Sequence, residues 1–426
     1  MLPKYYTEGN LFSIPKFTLK KTDVEGFINE LRGFHREFSD CFLRSEPREN
    51  FFYYMVGQFS ELERKSIEPI ALRVEGASVR SLQRFISDVI WDEEKMLRKY
   101  WNLLKEDMGE DSGVLIFDET DFPKKGRDSV GVARQYCGSL GKIENCQVGV
   151  FMAYASSYGY ALLDKRLFIP EIWFSEGYKE ERRRCELPQE LSFKTKPQLA
   201  TEMLEGIERE GRVPFKYIVA DSIYGYNPEF IEHVERCKDK IYFVNIPSDT
   251  LCWLERPPLK EKGYRYKREA RSKFVAETRP ETVQRIAEDL NDYFWYRRKV
   301  SLGTKGVIEY EFTKRRVVLC KRGLPDKEVW LIIKRSLEDN PSYWYYISNA
   351  PINTRLSTFV WLSGMRWAIE QCFQETKGEL GMDHYEVRKY RGWHHHILTC
   401  MLAHFFLWHL KIRLGEKSTL YYTIAA

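Results

Sequence analysis

The stretch Gly113 to Phe122, GVLIFDETDF, constrains this chain more than any other. Four apolar residues, Val114 to Phe117, run straight into Asp118, which predicts a fully buried strand that delivers a carboxylate at its carboxyl end. Burying a carboxylate is costly unless something compensates, and the usual compensation is a metal ion or a catalytic partner. A second stretch repeats the pattern: Lys216 to Ala220, KYIVA, ends on Asp221 and is followed by Ser222 and the turn residues Tyr224 and Gly225. A third carboxylate, Glu370, is expected on one helix shared with Arg366 and Lys377. At ~100° per residue these three fall within about 40° of one another, a single stripe. Three carboxylates and two cations are therefore expected to converge.

With 426 residues the chain is long enough for two or three domains, and a net charge of +5 permits a polyanionic partner without demanding one. Nine cysteines are scattered with no C-x-x-C pair, which favours free thiols in a reducing compartment over a zinc knuckle or a disulfide framework. The first residues lack the basic-then-apolar pattern of a signal peptide. The longest apolar run, Ile397 to Leu410, is broken by His404 and reads as too short and too polar for a bilayer. A cytoplasmic protein without a membrane partner is expected.

Residues 1–108 read as helical, with helices over 22–40, 49–66, 67–74, 79–87 and from Asp92 onward. Their exposed arginines, Arg80 and Arg84 among them, suit either a solvated face or a helix in a DNA major groove. From 109 to 247 the pattern becomes α/β. The Asp118 strand is followed by a polar, glycine-containing loop over 123–141, then by strands over 147–155 and 160–169 joined at Ser156-Ser157-Tyr158-Gly159. Thr195 caps a helix, the Asp221 strand follows, Asn227-Pro228 opens another helix, and Lys240 to Ile246 is a further strand. This order predicts a mixed sheet with the Asp118 and Asp221 strands side by side. Residues 248–350 form a β-rich insertion, and residues 351–426 return to helices. The insertion carries KEKGYRYKREARSKF, in which Lys260, Arg265, Lys267, Arg268 and Arg271 lie among aromatics and suit phosphate contact and base stacking.

Carboxylate oxygens are hard ligands that suit Mg²⁺ or Mn²⁺, and two ions about 3.5–4 Å apart can serve both sides of a phosphodiester. Arg366 and Lys377 would hold backbone phosphates. Among the remaining candidates, Glu119 is expected on the opposite face from Asp118, Asp121 is a possible auxiliary that reads more readily as a solvated turn residue, and Asp164 and Asp383 could join a carboxylate site, though neither follows as clean a strand-end pattern. His394-His395-His396 cannot share one ion on a helix, where neighbours diverge by about 100°.

The order Asp, Asp, Glu with an insertion before the glutamate resembles the DDE transposases of bacterial insertion sequences. Arg366-x3-Glu370-x6-Lys377 matches the R-x3-E-x6-K part of the Y-x2-R-x3-E-x6-K signature, with Ser363 where the tyrosine would stand. DETDFPKKG, ADSIYG and RWAIEQCFQETKGELGMDHYEVRKYRGWHHH also look like one insertion-sequence family. The resemblance implies an RNase H-like catalytic core with Asp118, Asp221 and Glu370 as metal-binding catalytic acids. It further implies a homodimer acting on double-stranded DNA, both terminal inverted repeats and target, by cut-and-paste. Trp344, seven residues before Pro351, occupies the place of a tryptophan that stacks on a flipped base in hairpin-forming relatives. A nuclease without strand transfer, an inactive DNA-binding derivative and a two-carboxylate glycosidase are the competing classes.

Overall fold

In the computed structural model, which describes residues 2–3, 6–12, 21–261, 273–303 and 306–424, five helices open the chain. They are α1 (Lys21–Glu37), α2 (Ser45–Gln58), α3 (Ile67–Arg73), α4 (Val79–Ser87) and α5 (Glu93–Met108). Local chemistry sets their starts: Ser78 and Ser81 form a reciprocal capping box on α4, and the Asp92 carboxylate accepts the Lys95 N–H on α5. α2 begins earlier than its apolar spacing suggests, since Phe51, Tyr54 and Met55 are buried but Ser45 to Arg48 extend the helix ahead of them.

The chain divides into a strand-rich unit, Met1–Leu11 with Lys216–Arg366, and a helix-rich unit, Phe12–Phe215 with Trp367–Ala426. Besides α1 to α5, the helix-rich unit contains β1 (Val114–Pro123), β2 (Ala133–Cys137), β3 (Lys142–Ser156) and β4 (Gly159–Phe168), then α6 (Lys179–Arg184) and α7 (Lys196–Glu210). β3 pairs antiparallel with β1, β2 and β4. The hairpin at Ser156 and Gly159 forms as expected. The glycine-containing loop does not remain a loop: β2 lies within it and pairs with an amino-terminal extension of β3.

The strand-rich unit holds β5 (Tyr217–Ala220), α8 (Ser222–Gly225), α9 (Pro228–Arg236) and β6 (Ile241–Ile246), with β5 and β6 parallel. There follow β7 (Leu251–Trp253), β8 (Leu259–Glu261), β9 (Phe274–Ala276), β10 (Glu281–Thr282), α10 (Val283–Glu288), β11 (Tyr296–Gly303), β12 (Gly306–Lys321), β13 (Leu324–Arg335), β14 (Tyr343–Ser348) and α11 (Leu356–Met365). The expected β-rich insertion is present. Its long strands continue the sheet of the α/β core, because β14 pairs antiparallel with β6 and is followed outward by β13, β12, β7 and β10. The order of elements, the antiparallel strands β1, β3 and β4 with the short β2 between the first two, then helices, β5, helices and β6, is that of an RNase H-like mixed α/β fold.

The helix-rich unit closes with α12 (Trp367–Leu380) and α13 (Tyr390–Ile424). By length and composition Tyr390–Gly415 is apolar enough to cross a membrane, yet 67% of its most apolar window is buried in the protein. That apolar surface faces the first helices: Phe27 meets Phe406, Phe34 meets Phe405 and Phe406, and Tyr100 meets Phe405. α13 is thus the core around which α1, α2, α4 and α5 pack.

Candidate active site

β1 does not stop at Asp118. It continues to Pro123, paired with β3 throughout, with Asp118 opposite Phe151 and Asp121 opposite Val148. Ladder pairing with a long neighbour overrides the poor strand propensity of the acidic run, so Asp118 is half-buried in mid-strand and not at a strand end. Its Oδ1 accepts the Glu119 N–H at 2.8 Å.

Alternation sends Asp118 and Thr120 to one face of β1 and Glu119 and Asp121 to the other. On the second face Glu119 accepts from Lys196 Nζ of α7 at 2.8 Å. Asp121 is buried, not in a solvated turn: it accepts from the Ser139 N–H at 3.0 Å, the Ser139 hydroxyl and the Cys137 thiol. Burial works to raise its pKa, but those donors and the charge of Lys377 prevail and hold the carboxyl below its ordinary value.

The Asp118 face is covered by α12. Phe373 packs its ring 5.2 Å from Phe151, the cross-strand partner of Asp118. Glu370, exposed, lies one helical turn before Phe373. Lys377 donates from Nζ to the Thr120 hydroxyl and to the Asp121 carbonyl, both at 2.8 Å, and lies 5.0 Å from the Phe122 ring. Burial depresses its pKa, with Asp121 and Asp383 opposing. The ammonium that the sequence assigns to DNA phosphate is directed into the protein, where it ties the glutamate helix to the Asp118 strand. The far end of α12 is held too: the buried Lys65 donates to the carbonyls of Gln58, Ser60 and Glu379 at 2.9, 2.7 and 2.6 Å. Neither Thr120 nor Lys65 carries a sequence signal, because each acts only once the chain has folded back on itself.

Arg366 does not share a helix with Glu370. It stands between α11 and α12 with helical dihedrals, φ −55° and ψ −33°. Ser363, in the position of the signature tyrosine, donates back to the Val360 carbonyl at 2.8 Å, a bond that bends helices.

Asp221 follows the end of β5, as expected. Its backbone is extended and its Oδ1 caps α8 by accepting the Ile223 N–H at 2.9 Å. α8 lies so close to β6 that a Cβ on Gly225 would come within 2.2 Å of the Asn245 carbonyl oxygen, which explains the glycine of ADSIYG. Asp118 and Glu370 belong to the helix-rich unit and Asp221 to the strand-rich unit.

Trp344, half-buried on β14, stacks under Lys334, whose Nζ is 4.4 Å from the ring, and meets Tyr310 edge-on at 5.6 Å. Lys260 is exposed on β8, whereas Arg265, Lys267, Arg268 and Arg271 lie outside the described residues. Arg80 and Arg84 are exposed on α4, whose Leu82, Phe85 and Ile86 face the core. The three consecutive histidines are buried and diverge: His394 faces Glu93, His395 bonds the Ile86 carbonyl, and His396 bonds Tyr54. Burial pushes them down to about 3, 4 and 3 respectively, so they are neutral packing residues. Asp164 is buried against Arg166 at 2.8 Å and Asp383 lies 3.7 Å from His384.

A half-buried aspartate on an acidic strand, beneath a helix that carries an exposed glutamate and is bonded to that strand, is an arrangement of hard oxygen donors. The chain belongs to the DDE superfamily endonucleases, whose family model matches residues 37–307, more than half its length. That span includes Asp118 and Asp221 and ends before Glu370. The chain is also 25% identical over 342 residues, 80% of its own length and 77% of the other, to a probable transposase for insertion sequence element IS701 from Microchaete diplosiphon. The resemblance drawn from the motifs is thereby borne out. Among solved structures, the piggyBac transposase synaptic complex with hairpin DNA is similar at a TM-score of 0.41 and 10% identity, covering 89% of this chain and 72% of that one. The NurA nuclease from Sulfolobus solfataricus is similar at a TM-score of 0.29 and 10% identity, covering 66% and 88%.

Proposed function

We propose that this protein is the transposase of an insertion sequence, which binds the terminal inverted repeats of its element, cuts the ends and joins them to target DNA. The observation that carries this reading is the placement of Asp118 in mid-strand, half-buried, beneath a helix that bears Glu370 and is bonded to the same strand through Lys377.

Asp118, Asp221 and Glu370 would hold Mg²⁺ or Mn²⁺, two ions in the reading favoured here. The donor set fits: all three groups are carboxylates, and none is sealed in the core. Bound metal would supply activation of a water or 3′-hydroxyl and stabilisation of the leaving oxygen. The protein's own part is to fix the ligands. The Glu119 N–H orients Asp118, the α8 backbone orients Asp221, and Lys377 keeps α12 against β1. Lys377 is thus a positioning residue, while Arg366, Lys260, Arg80 and Arg84 contact DNA phosphates in a homodimeric synaptic complex. The 25% identity to an IS701-type transposase supports this assignment over that of a general nuclease.

The test is end cleavage by purified protein and its Asp221→Ala variant on labelled duplex carrying the element's ends, in Mg²⁺ and in EDTA, with a supercoiled plasmid as target. Cuts at the repeat boundary that need both metal and Asp221, followed by joining to the plasmid, are expected. Hairpin-sized products would bring Trp344 into the reaction. Scattered cuts without joining would replace the transposase with a nuclease.

A further inference from the structure

The ribbon made of β2 and the first residues of β3 has two unlike faces. One is buried through Cys137 and Cys146, both fully enclosed. The other exposes Tyr136 and Ile143, directly opposite each other in the ladder and 66% and 60% exposed, with Arg134 on the same face. The turn between the strands exposes Leu140 as well and closes on Gly141, whose φ of 63° favours glycine.

The ribbon is fixed where it stands. Asp121 accepts two bonds from Ser139 and one from Cys137, which clamps the turn to β1. Asn145 donates to the carbonyls of Lys124 and Gly126, both at 2.7 Å, and so holds the loop bearing the exposed Lys125 and Arg127 beside the ribbon. Lys142, opposite Cys137 in the ladder and therefore on the other face, is a further exposed cation at the edge of the ribbon, partly offset by Glu144 at 3.3 Å.

We propose that this ribbon is a DNA arm, seated in a groove of the substrate duplex close to the phosphate being cut. The proposal rests on the DNA-cutting reading given above. A two-stranded ribbon fits a DNA groove, and an apolar pair bordered by cations suits contact with sugars and base edges while the cations take flanking phosphates. A second copy of the chain is the poorer occupant, because Arg134, Lys142, Lys125 and Arg127 would face their own kind across the contact. Position favours DNA as well. Asp121, the clamp, is on the same strand as Asp118, three residues or about 10 Å further along, with its side chain on the opposite face.

The test compares the full-length protein with two double variants at exposed positions, Arg134→Ala with Lys142→Ala and Tyr136→Ser with Ile143→Ser, using labelled duplex from the element's end. Thermal melting of both is expected to match the parent. The charge variant should bind more weakly, with the slope of log affinity against log salt shallower by roughly two. The apolar variant should keep the parent's slope, bind roughly tenfold more weakly and lose protection of the base pairs next to the cleavage site. Parent-like binding, cutting and protection in both variants would overturn the arm while leaving the transposase reading intact. A change of oligomeric state with DNA affinity unaltered would overturn it in favour of a second copy. Absence of DNA binding and cutting by the parent itself would sink both readings together.

Discussion

β1 and β5 begin alike, as short apolar runs that reach an aspartate, and they end differently. β5 stops, and Asp221 becomes the cap of a short helix through a bond to its own neighbour's backbone. β1 runs on past Asp118 through three further polar residues, and the side chains that flank it are bonded by distant lysines, Lys196 on one face and Lys377 on the other. Both carboxylates accept a nearby backbone N–H, but only the strand that carries Asp118 is held in place by tertiary ties. Their sensitivities to mutation should separate accordingly.

The largest expected effect falls on both strands equally. Asp118→Ala, Asp221→Ala or Glu370→Gln should reduce end cleavage to background while gel-shift affinity for the duplex persists. Loss of binding in all three would break the assignment of these groups to metal.

The next effect should appear on β1 alone. Lys377→Met removes the tie between α12 and Thr120, and the turnover rate should fall by about 10- to 100-fold, the usual cost of removing a group that orients metal ligands. The salt dependence of DNA binding should not change. A shallower salt slope would return Lys377 to the phosphate contacts.

Acid should distinguish the units in which the two aspartates reside. His394, His395 and His396 are held neutral by burial, at about 3 to 4 against an ordinary 6.5. The unfolded chain binds their protons first, so the stability is present above about pH 6.5 and drains as pH falls toward the folded values, by about 1.4 kcal/mol per pH unit for each histidine. Below the ordinary carboxyl range Glu93, which burial would raise but the Lys165 charge holds down at about 2, adds loss in the same direction. Between pH 7 and 5 the hydrogen-exchange protection factors, taken against the slower intrinsic exchange in acid, should fall in α4 and α13 before they do in β12 to β14. A uniform fall would contradict this.

The smallest effect isolates the cap. Asp221→Asn keeps the acceptor for Ile223 and should melt with the parent, while Asp221→Ala should lose about 1 kcal/mol. Both should be inactive in cleavage.

The same contrast explains what was legible from the sequence. Local signals were reliable: the Thr195 cap, Asn227 before α9, and the hairpin at Ser156 and Gly159 are where residue chemistry places them. Asp221 was legible for that reason. The extent of β1, the presence of β2, the break at Arg366 and the tie made by Lys377 each depend on a partner far along the chain, and no periodicity reports such a partner. That the sequence excluded a shared ion at the three histidines but not their full burial has the same cause, because consecutive residues reveal nothing about what surrounds a helix on all sides.

That enclosure has a consequence for how the molecule comes into being. Tyr54 and His396, bonded at 2.8 Å, are 342 residues apart, and the aromatic faces of α1, α2, α4 and α5 meet α13. During synthesis the early helices leave the ribosome with that side uncovered, and they wait until α13 has been made. A chain cut short anywhere in the sheet would carry an open apolar cleft, so the competent enzyme exists only after α13 is translated.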